Sequence, residues 1–333
     1  MNKNSQIQGL RGIACILIVF THIVIKYTSD YVVDFKYTNI LGSVSYLGAY
    51  GVAIFLIIAG WFLYVPDKKR ALYFDVAIFR KYYKLWIPYV ISITITYFLE
   101  HFLNLGDRTV TLKDYLVSLT MLQGFVVGIS PVDGSHWYLT TILMIYFGCL
   151  FIENFVIHKR IVYSVWAVLG IISSIYEIRI SGVMIQREYI GIVLISLFLR
   201  KIYENIKESG IVRLEKIWQD IIVLILGFIC TIKYHDYKYC IWVVLGCIIV
   251  YLCMLEKLKI FSARWLVWIG EMSYFIYLIH QNVSFMLMNT LTELIGEYHI
   301  WYAIIAAIVS ILLAILIKSI SGLIFKYTQQ LNG

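Results

Sequence analysis

The chain has 333 residues, of which 61% are hydrophobic, and its mean hydropathy is +0.81. Soluble globular domains are about 45–50% apolar, so this composition excludes an ordinary soluble enzyme and is typical of a helical integral membrane protein. The formal net charge of +8 does not indicate a nucleic-acid partner, because the basic residues are spread over short loops between apolar runs. Those runs also lack the alternating pattern of a membrane β-barrel.

Apolar runs long enough to cross a membrane recur along the whole chain. We place them at residues 8–27, 46–64, 85–103, 136–153, 160–178, 189–205, 217–233, 239–255, 265–289 and 300–325. If both chain ends are cytoplasmic, most lysine and arginine residues fall in inside segments, as the positive-inside rule requires. The sequence therefore predicts an all-α integral membrane protein with about ten transmembrane helices and cytoplasmic N and C termini.

We predict a single membrane-embedded domain over residues 1–333, because the longer linkers are too short to hold a soluble domain. The largest outside segment, 104–135, contains the apolar stretch YLVSLTMLQGFVVGI. This stretch is short for a membrane span and has two internal glycines. It predicts an extracytoplasmic loop that includes a re-entrant or surface-lying segment.

The first apolar run, LRGIACILIVFTHIVI, carries Arg11 and His22. Eleven residues at about 100° each make about three whole turns, so both side chains are expected on one helix face, about 16 Å apart along the axis. Arg11 would lie near one membrane surface and His22 deep inside, where an ionisable residue is a functional candidate. A neutral imidazole there can accept a proton from a hydroxyl, although a histidine that merely bonds two helices is the alternative.

The stretch FRKYYKLWIPY opens the third apolar run with Arg80, Lys81 and Lys84. Arg80 and Lys84 are one helical turn apart, and Pro88 is expected to end or kink this first part of the helix. A cytoplasmic basic cluster suits the phosphates of an acyl-CoA or nucleotide donor. Topology signals and lipid contacts at a helix end are the alternative reading of the same residues.

The stretch DGSHWYLTTILMIYF places His136, Trp137 and Tyr138 at the outside mouth of the fourth run. Aromatic residues at this level can form an interface belt. A tryptophan beside a histidine at a glycine-containing entrance can also stack on a sugar and bind its hydroxyls. Both interpretations remain open from the sequence.

The stretch GEMSYFIYLIHQNV places Ser273 and His280 seven residues apart. On one continuous helix this is about two turns, which predicts nearly the same face for both. Tyr274 and Tyr277 are close neighbours, so the stretch predicts a polar stripe inside the membrane.

Other chemistries find no support in the sequence. The chain has no G-x-x-x-x-G-K-[ST] loop, no G-x-S-x-G elbow, no H-E-x-x-H pair and no Rossmann glycine fingerprint. The six cysteines lie in or beside apolar stretches, without a C-x-x-C pair or a histidine at metal-ligand spacing. They predict packing residues, and no metal is expected.

Taken together, these stretches resemble the acyltransferase-3 family, bacterial multi-spanning enzymes that O-acylate envelope and exported carbohydrates. The resemblance is carried by Leu10-Arg11-Gly12-Ile13-Ala14 with His22, by GVAIFLIIAGWFL, by Arg80-Lys81-x-x-Lys84 before Ile87-Pro88-Tyr89, by His136-Trp137-Tyr138-Leu139, and by Ser273-Tyr274 with Tyr277-Leu278-x-His280. In two respects the chain departs from the family pattern: Lys84 replaces a frequent arginine, and no glutamate follows Trp137. The expected form is the one without a soluble C-terminal domain.

The resemblance implies roles for particular residues. His22 would be the catalytic base, and Arg11, Arg80, Lys81 and Lys84 would bind acyl-CoA. The acceptor would meet His136, Trp137, Tyr138, Ser273, Tyr274, Tyr277 and His280. The implied donor is acetyl-CoA or another acyl-CoA, the implied partners are a carbohydrate or glycolipid acceptor and membrane lipid, and the implied location is the bacterial cytoplasmic (inner) membrane. The departure after Trp137 leaves no residue assigned to orient His22.

Two rival functions are kept beside this expectation. A transporter or exporter of an acylated glycan would use His22, Ser273 and His280 as a polar pathway and would move glycan without consuming CoA. A non-catalytic membrane partner of a polysaccharide synthase would tolerate replacement of His22. The sequence does not indicate the acyl group, the acceptor or the oligomeric state.

Overall fold

The computed structural model describes residues 4–31, 38–63, 74–101, 110–123, 126, 128–175, 187–209, 214–296 and 299–331. These residues form helices, turns and loops, and contain no β-strand. The α-helices in chain order are α1 Ser5–Tyr31, α2 Thr38–Leu63, α3 Phe74–His101, α4 Leu112–Ser118, α5 Trp137–Phe155, α6 Lys159–Ile175, α7 Arg187–Ser209, α8 Leu214–Tyr234, α9 Tyr237–Met254, α10 Arg264–Tyr277, α11 His280–Ile295 and α12 Ile300–Leu331.

Within the described ranges, 6 helices are long and apolar enough to cross a membrane. The qualifying segments are Ser5–Thr28, Tyr46–Leu63, Gly134–Phe155, Ile217–Tyr234, Tyr237–Met254 and Ile300–Thr328. This number of apolar helices is that of a multi-pass membrane protein, as the composition predicts.

The predicted runs at 85–103, 160–178, 189–205 and 265–289 do not yield helices that meet both conditions. Charged residues accompany the apolar residues of α3 and α7. Helices α10 and α11 have only 14 and 16 residues, about 21 and 24 Å of rise, against a hydrocarbon core of about 30 Å. The count of about ten spans and the cytoplasmic placement of both ends therefore stay predictions.

The predicted continuous helix over 265–289 is wrong, because α10 ends at Tyr277 and α11 begins at His280. Neither proline nor glycine marks this break in the sequence. The break frees the carbonyl oxygen of Leu278, which accepts hydrogen bonds from the Ser92 hydroxyl at 2.6 Å and from Nε2 of His136 at 3.0 Å. These tertiary hydrogen bonds replace the helical ones and so stabilise the break between α10 and α11.

The chain is divided into two compact units. The first comprises residues 1–51, 79–138 and 259–333, and in it α1 packs against α10 and also contacts α11 and α12. Helices α1 and α10 meet backbone to backbone: a Cβ atom on Gly270 would lie 1.7 Å from the carbonyl oxygen of Gln8, and one on Gly12 would lie 2.3 Å from that of Leu266. Glycine is required there because even a methyl group would collide with main-chain atoms.

Also in the first unit, α4 and the turn after it pack along α3. Thr111 and Asp114 form a reciprocal capping box at the start of α4. Side chains of α3 that are about one turn apart then bind three successive carbonyl oxygens at its end. These bonds are Tyr89 to Ser118 at 2.8 Å, Trp86 to Leu119 at 2.6 Å and Tyr82 to Thr120 at 2.9 Å. A helix end leaves carbonyls without helical partners, and these bonds supply donors to all three. The carbonyl of Ser118 also accepts from the backbone of Met121 at 3.0 Å.

The second unit comprises residues 52–78 and 139–258, and in it α6, α7 and α8 pack together. The Glu153 carboxylate, 6% exposed, binds the amines of Lys159 at 3.1 Å and Lys201 at 2.6 Å. Arg160 makes a two-pronged contact with the buried carboxylate of Asp220. These ion pairs join helices of one unit, which is the ordinary structural role of such pairs.

Candidate active site

Two histidines of the first unit form a hydrogen-bonded pair. Nδ1 of His22 on α1 lies 2.8 Å from Nε2 of His280, the first residue of α11. The two rings stack with centroids 5.0 Å apart. His280 is completely buried, whereas His22 is partly exposed. Because the helix breaks at Leu278, the imidazole of His280 lies directly against His22, the predicted base.

The hydrogen bonds of this pair define the positions of its protons. Nδ1 of His280 lies 2.8 Å from the carbonyl oxygen of Tyr277, and a carbonyl only accepts, so this nitrogen carries a hydrogen. A neutral His280 then has its lone pair on Nε2, which accepts the Nδ1 hydrogen of His22. A neutral His22 in turn keeps its lone pair on Nε2. We assign these tautomers from the hydrogen-bond network.

Arg11 stands on the same face of α1 as His22, in agreement with the predicted spacing. Its Nη2 donates to the Ser273 hydroxyl at 3.1 Å, and its Nη1 donates to Oε1 of Gln8 at 3.3 Å. Ser273, which is buried, donates its own hydrogen to the carbonyl of Gly270 at 2.8 Å. Arg11 and His22 thus contact α10 and α11 respectively, so the residues of the predicted polar stripe are divided between two helices.

The basic residues of α3 lie near Arg11. Desolvation of the Lys81 amine by the surrounding protein lowers its pKa, and the positive charges of Arg11 and Lys84 lower it further. Lys84 is exposed. Arg80 lies on α3, but its side chain is outside the described part of the chain. Three of the four predicted donor-binding residues thus form one positively charged region at one end of the site.

The HWY motif divides between the interior and the surface. His136 is 1% exposed, and its ring lies 5.0 Å from that of Tyr89 between centroids. Tyr138 is half-buried and packs edge-on against Tyr277 at 5.7 Å. Trp137 is 41% exposed and meets Tyr138. His136 and Tyr138 thus both pack against Tyr277, whose ring also contacts His280, whereas Trp137 lies at the surface.

The two tyrosines at the end of α10 hold other segments in place through their hydroxyls. Tyr274 donates to the carbonyl of Leu85 at 2.6 Å, and Tyr277 donates to the carbonyl of Ser135. The Tyr277 ring also contacts His136 and His280. Both tyrosines therefore connect α10 to the neighbouring elements of the site.

A buried carboxylate that the sequence analysis missed lies beside the histidines. Asp133 has no exposed surface, and its oxygens accept from the backbone and hydroxyl of Ser135 and from the backbone of Asn282 at 3.3 Å. It lies within electrostatic reach of His22, His136 and His280. Its place three residues before His136 was the available signal, but a loop aspartate normally reads as a turn residue.

Asn282 and a stripe on α3 were missed as well. The Asn282 amide donates to Oε1 of Glu100 at 2.8 Å and to the carbonyl of Val132 at 2.7 Å. Ser92, Thr96 and Glu100 are all buried and recur every four residues on α3. Polar residues at helical spacing inside an apolar run were a readable signal.

Metal chemistry has no obvious site among these residues. No cluster of three or more His, Cys, Asp or Glu side chains suited to a metal ion occurs in the described ranges. The six cysteines are buried, and none of them forms a disulfide bond. They lie where packing residues are expected.

The described residues thus belong to a multi-pass membrane protein. They contain a hydrogen-bonded histidine pair and a separate positively charged region. Comparison with known protein families identifies the family to which the chain belongs. The family model Acyl_transf_3, described as an acyltransferase domain, matches residues 4–319, so the chain belongs to the acyltransferase-3 family and is a membrane acyltransferase. No curated protein and no solved structure matches the chain.

Proposed function

We propose that this protein transfers an acyl group, acetyl in the first instance, from cytoplasmic acyl-CoA to a hydroxyl of an envelope or exported carbohydrate. The observation that supports this most directly is the hydrogen-bond chain from the Tyr277 carbonyl through His280 to His22. It leaves Nε2 of His22 as a proton acceptor in a protein of the acyltransferase-3 family. The membrane would be the bacterial cytoplasmic membrane.

The reaction is a direct transfer. Nε2 of His22 takes the proton of the acceptor hydroxyl while its oxygen bonds to the thioester carbonyl carbon. The tetrahedral intermediate then collapses with cleavage of the carbon–sulfur bond, and the proton on His22 passes to the departing CoA thiolate. Acyl-CoA and alcohol thus give ester and CoA thiol, and no further reactant is needed.

Asp133 supports this role because proton transfer makes His22 an imidazolium. A positive charge in a dry site is costly unless a negative charge is near. The Asp133 carboxylate is buried and interacts electrostatically with His22 and His280. It would stabilise the charged state and would supply the carboxylate that the stretch after Trp137 lacks.

The two substrates would approach from opposite ends. Arg11, Arg80, Lys81 and Lys84 would bind the phosphates of acyl-CoA on the cytoplasmic side. The acceptor would enter from the outside past His136, Trp137 and Tyr138, and would meet Ser273, Tyr274, Tyr277 and His280 near the reacting atoms. The 104–135 segment would then form part of the extracytoplasmic entrance, with a re-entrant portion at α4.

The first test is release of free thiol from acetyl-CoA by the purified protein in nanodiscs, with and without a mixed glycan extract. Thiol release that depends on His22 and increases with the extract is the expected result. Transport of glycan without CoA consumption would favour the exporter instead, because a polar pathway needs no acyl donor.

His280 should act as a positioning residue for His22. We expect His280→Leu to lower kcat about 10²-fold or more, because loss of the group that fixes a catalytic histidine tautomer costs up to about 10⁴-fold in serine proteases. His280→Gln should recover a measurable part of this loss, since its carbonyl oxygen can accept the Nδ1 hydrogen of His22. Equal activity of the two variants in the thiol-release assay would contradict the tautomer assignment.

Lys81 should contribute to donor binding. We expect Lys81→Ala to raise the KM for acetyl-CoA about tenfold, the equivalent of about 1.4 kcal/mol, with little change in the acceptor KM. The loss should disappear with S-acetyl-pantetheine, which has no phosphates. Lys113→Ala on α4 is the matched control, because Lys113 is an exposed lysine outside this cluster. The same loss with both donors would indicate a structural role.

A further inference from the structure

Three buried side chains around Tyr89 have polar atoms without partners in the described part of the chain. They are Oγ of Ser118, both amide atoms of Gln123, and Nδ1 of His136. The exposed fractions of these residues are 1%, 5% and 1%. A buried polar atom that lacks a hydrogen bond destabilises the protein, so such groups in a native structure call for an explanation.

All three residues surround Tyr89. The Tyr89 hydroxyl binds the carbonyl of Ser118 at 2.8 Å, and its ring lies 5.0 Å from that of His136. The Gln123 side chain lies close to the Tyr89 hydroxyl, although the two groups do not form a hydrogen bond of ordinary geometry. The unpartnered atoms therefore belong to one place rather than to three unrelated defects.

This place lies between the two ends of the active site. Tyr89 lies one helical turn after Leu85, and the carbonyl of Leu85 accepts a hydrogen bond from Tyr274. Tyr274 is adjacent in sequence to Ser273, which binds Arg11. On the other side, His136 binds the carbonyl of Leu278, two residues before His280. A ligand at Tyr89 would therefore reach from the positively charged end towards the histidine pair.

The chemistry of the unpartnered atoms indicates the kind of ligand. The His136 Nε2 hydrogen is used by the Leu278 carbonyl, so its Nδ1 is an acceptor. Ser118 and Gln123 add uncharged donors and acceptors. We propose that Ser118, Gln123 and His136 bind the neutral, hydroxyl- or amide-bearing part of a substrate.

Only the identity of that ligand rests on the proposed function. The acceptor sugar and the pantetheine arm of acyl-CoA share this chemistry, since both present neutral hydroxyl or amide groups. Methyl glycosides of glucose, galactose and N-acetylglucosamine serve as probes for the first source, and S-acetyl-pantetheine for the second.

The test uses the full chain in nanodiscs and compares wild type with Gln123→Met. Without ligand, the variant should melt at the same temperature or higher, because methionine fills the space without unpaired polar atoms. Gln6→Met is the matched control: Gln6 is 3% exposed and is not among the side chains without partners. That control should lower the melting temperature.

Binding then identifies the ligand. We expect Gln123→Met to bind one class of probe about five- to tenfold more weakly than wild type, as loss of one or two hydrogen bonds predicts. Weaker glycoside binding assigns the acceptor, and weaker S-acetyl-pantetheine binding assigns the donor arm. A lower melting temperature without a binding change, or no difference with either probe, overturns the proposal.

This result can be separated from the proposed function. If wild type releases no thiol from acetyl-CoA but the probe difference persists, the transfer reaction fails and the binding site stands. If wild type releases thiol and Gln123→Met binds both probes as wild type does, the binding site alone fails.

Discussion

Replacing His22 with alanine should lower kcat about 10²- to 10⁴-fold, the usual contribution of a general base. The reason is specific to Nε2, since Nδ1 is engaged with His280 and the lone pair remains on the other nitrogen. The protein should still fold, because His22 is partly exposed and its removal leaves His280 bound to the Tyr277 carbonyl. Thiol release from acetyl-CoA with a glycan acceptor measures the effect.

The matched control is His158→Ala, since His158 is an exposed histidine in a different part of the chain. It should retain full activity. Undiminished acylation by a normally expressed His22→Ala protein would remove His22 from the mechanism and favour the packing role.

Replacing Gly270 with alanine should separate α1 from α10 and abolish most of the activity. Its Cβ atom would lie 1.7 Å from the carbonyl oxygen of Gln8, so one of the two backbones must move. Overpacking typically costs about 1–3 kcal/mol, and a main-chain collision lies at the upper end of that range or above it. Because α1 carries Arg11 and His22, the movement disturbs both ends of the site. Melting temperature and thiol release report it together.

Gly322→Ala on α12 is the control for this substitution. A Cβ atom there meets nothing within 4 Å, and the residue is in a helix. Alanine is favoured over glycine in helices by up to about 1 kcal/mol, so stability should be unchanged or higher. If Gly270→Ala behaved in the same way, the close approach of α1 and α10 would be disproved.

The first helix was the part of the site that the sequence predicted best. The spacing of Arg11 and His22 needs only the helical repeat, and a long apolar run makes a helix secure. Both side chains do face α10 and α11. Periodicity works here because no tertiary contact interrupts the helix between the two residues.

Periodicity failed where tertiary hydrogen bonds replace helical ones. The apolar run that contains Ser273 and His280 predicts one helix, and no proline or glycine between these residues marks a break. The break depends on Ser92 and His136, which are distant in sequence and bind the freed carbonyl of Leu278. No local pattern within the stretch carries that information.

The sequence also did not predict the carboxylate near His22. The family pattern has a glutamate in the helix that follows Trp137, and a resemblance can assign only positions that match such a motif. Asp133 occupies the loop before that helix, and its approach to the histidines depends on Asn282 of α11. Only the folded chain brings these two residues together.

Much of the geometry around the histidine pair is held by main-chain oxygens. His280 is fixed by the carbonyl of Tyr277, His136 by that of Leu278 and Tyr89 by that of Ser118. Every amino acid supplies a carbonyl, so the side chains at the accepting positions can change in evolution without loss of these bonds. Diverged descendants should therefore preserve the donors while the residues they bind vary freely. A search for remote members of this lineage would do better to follow the donors than whole stretches of similar sequence.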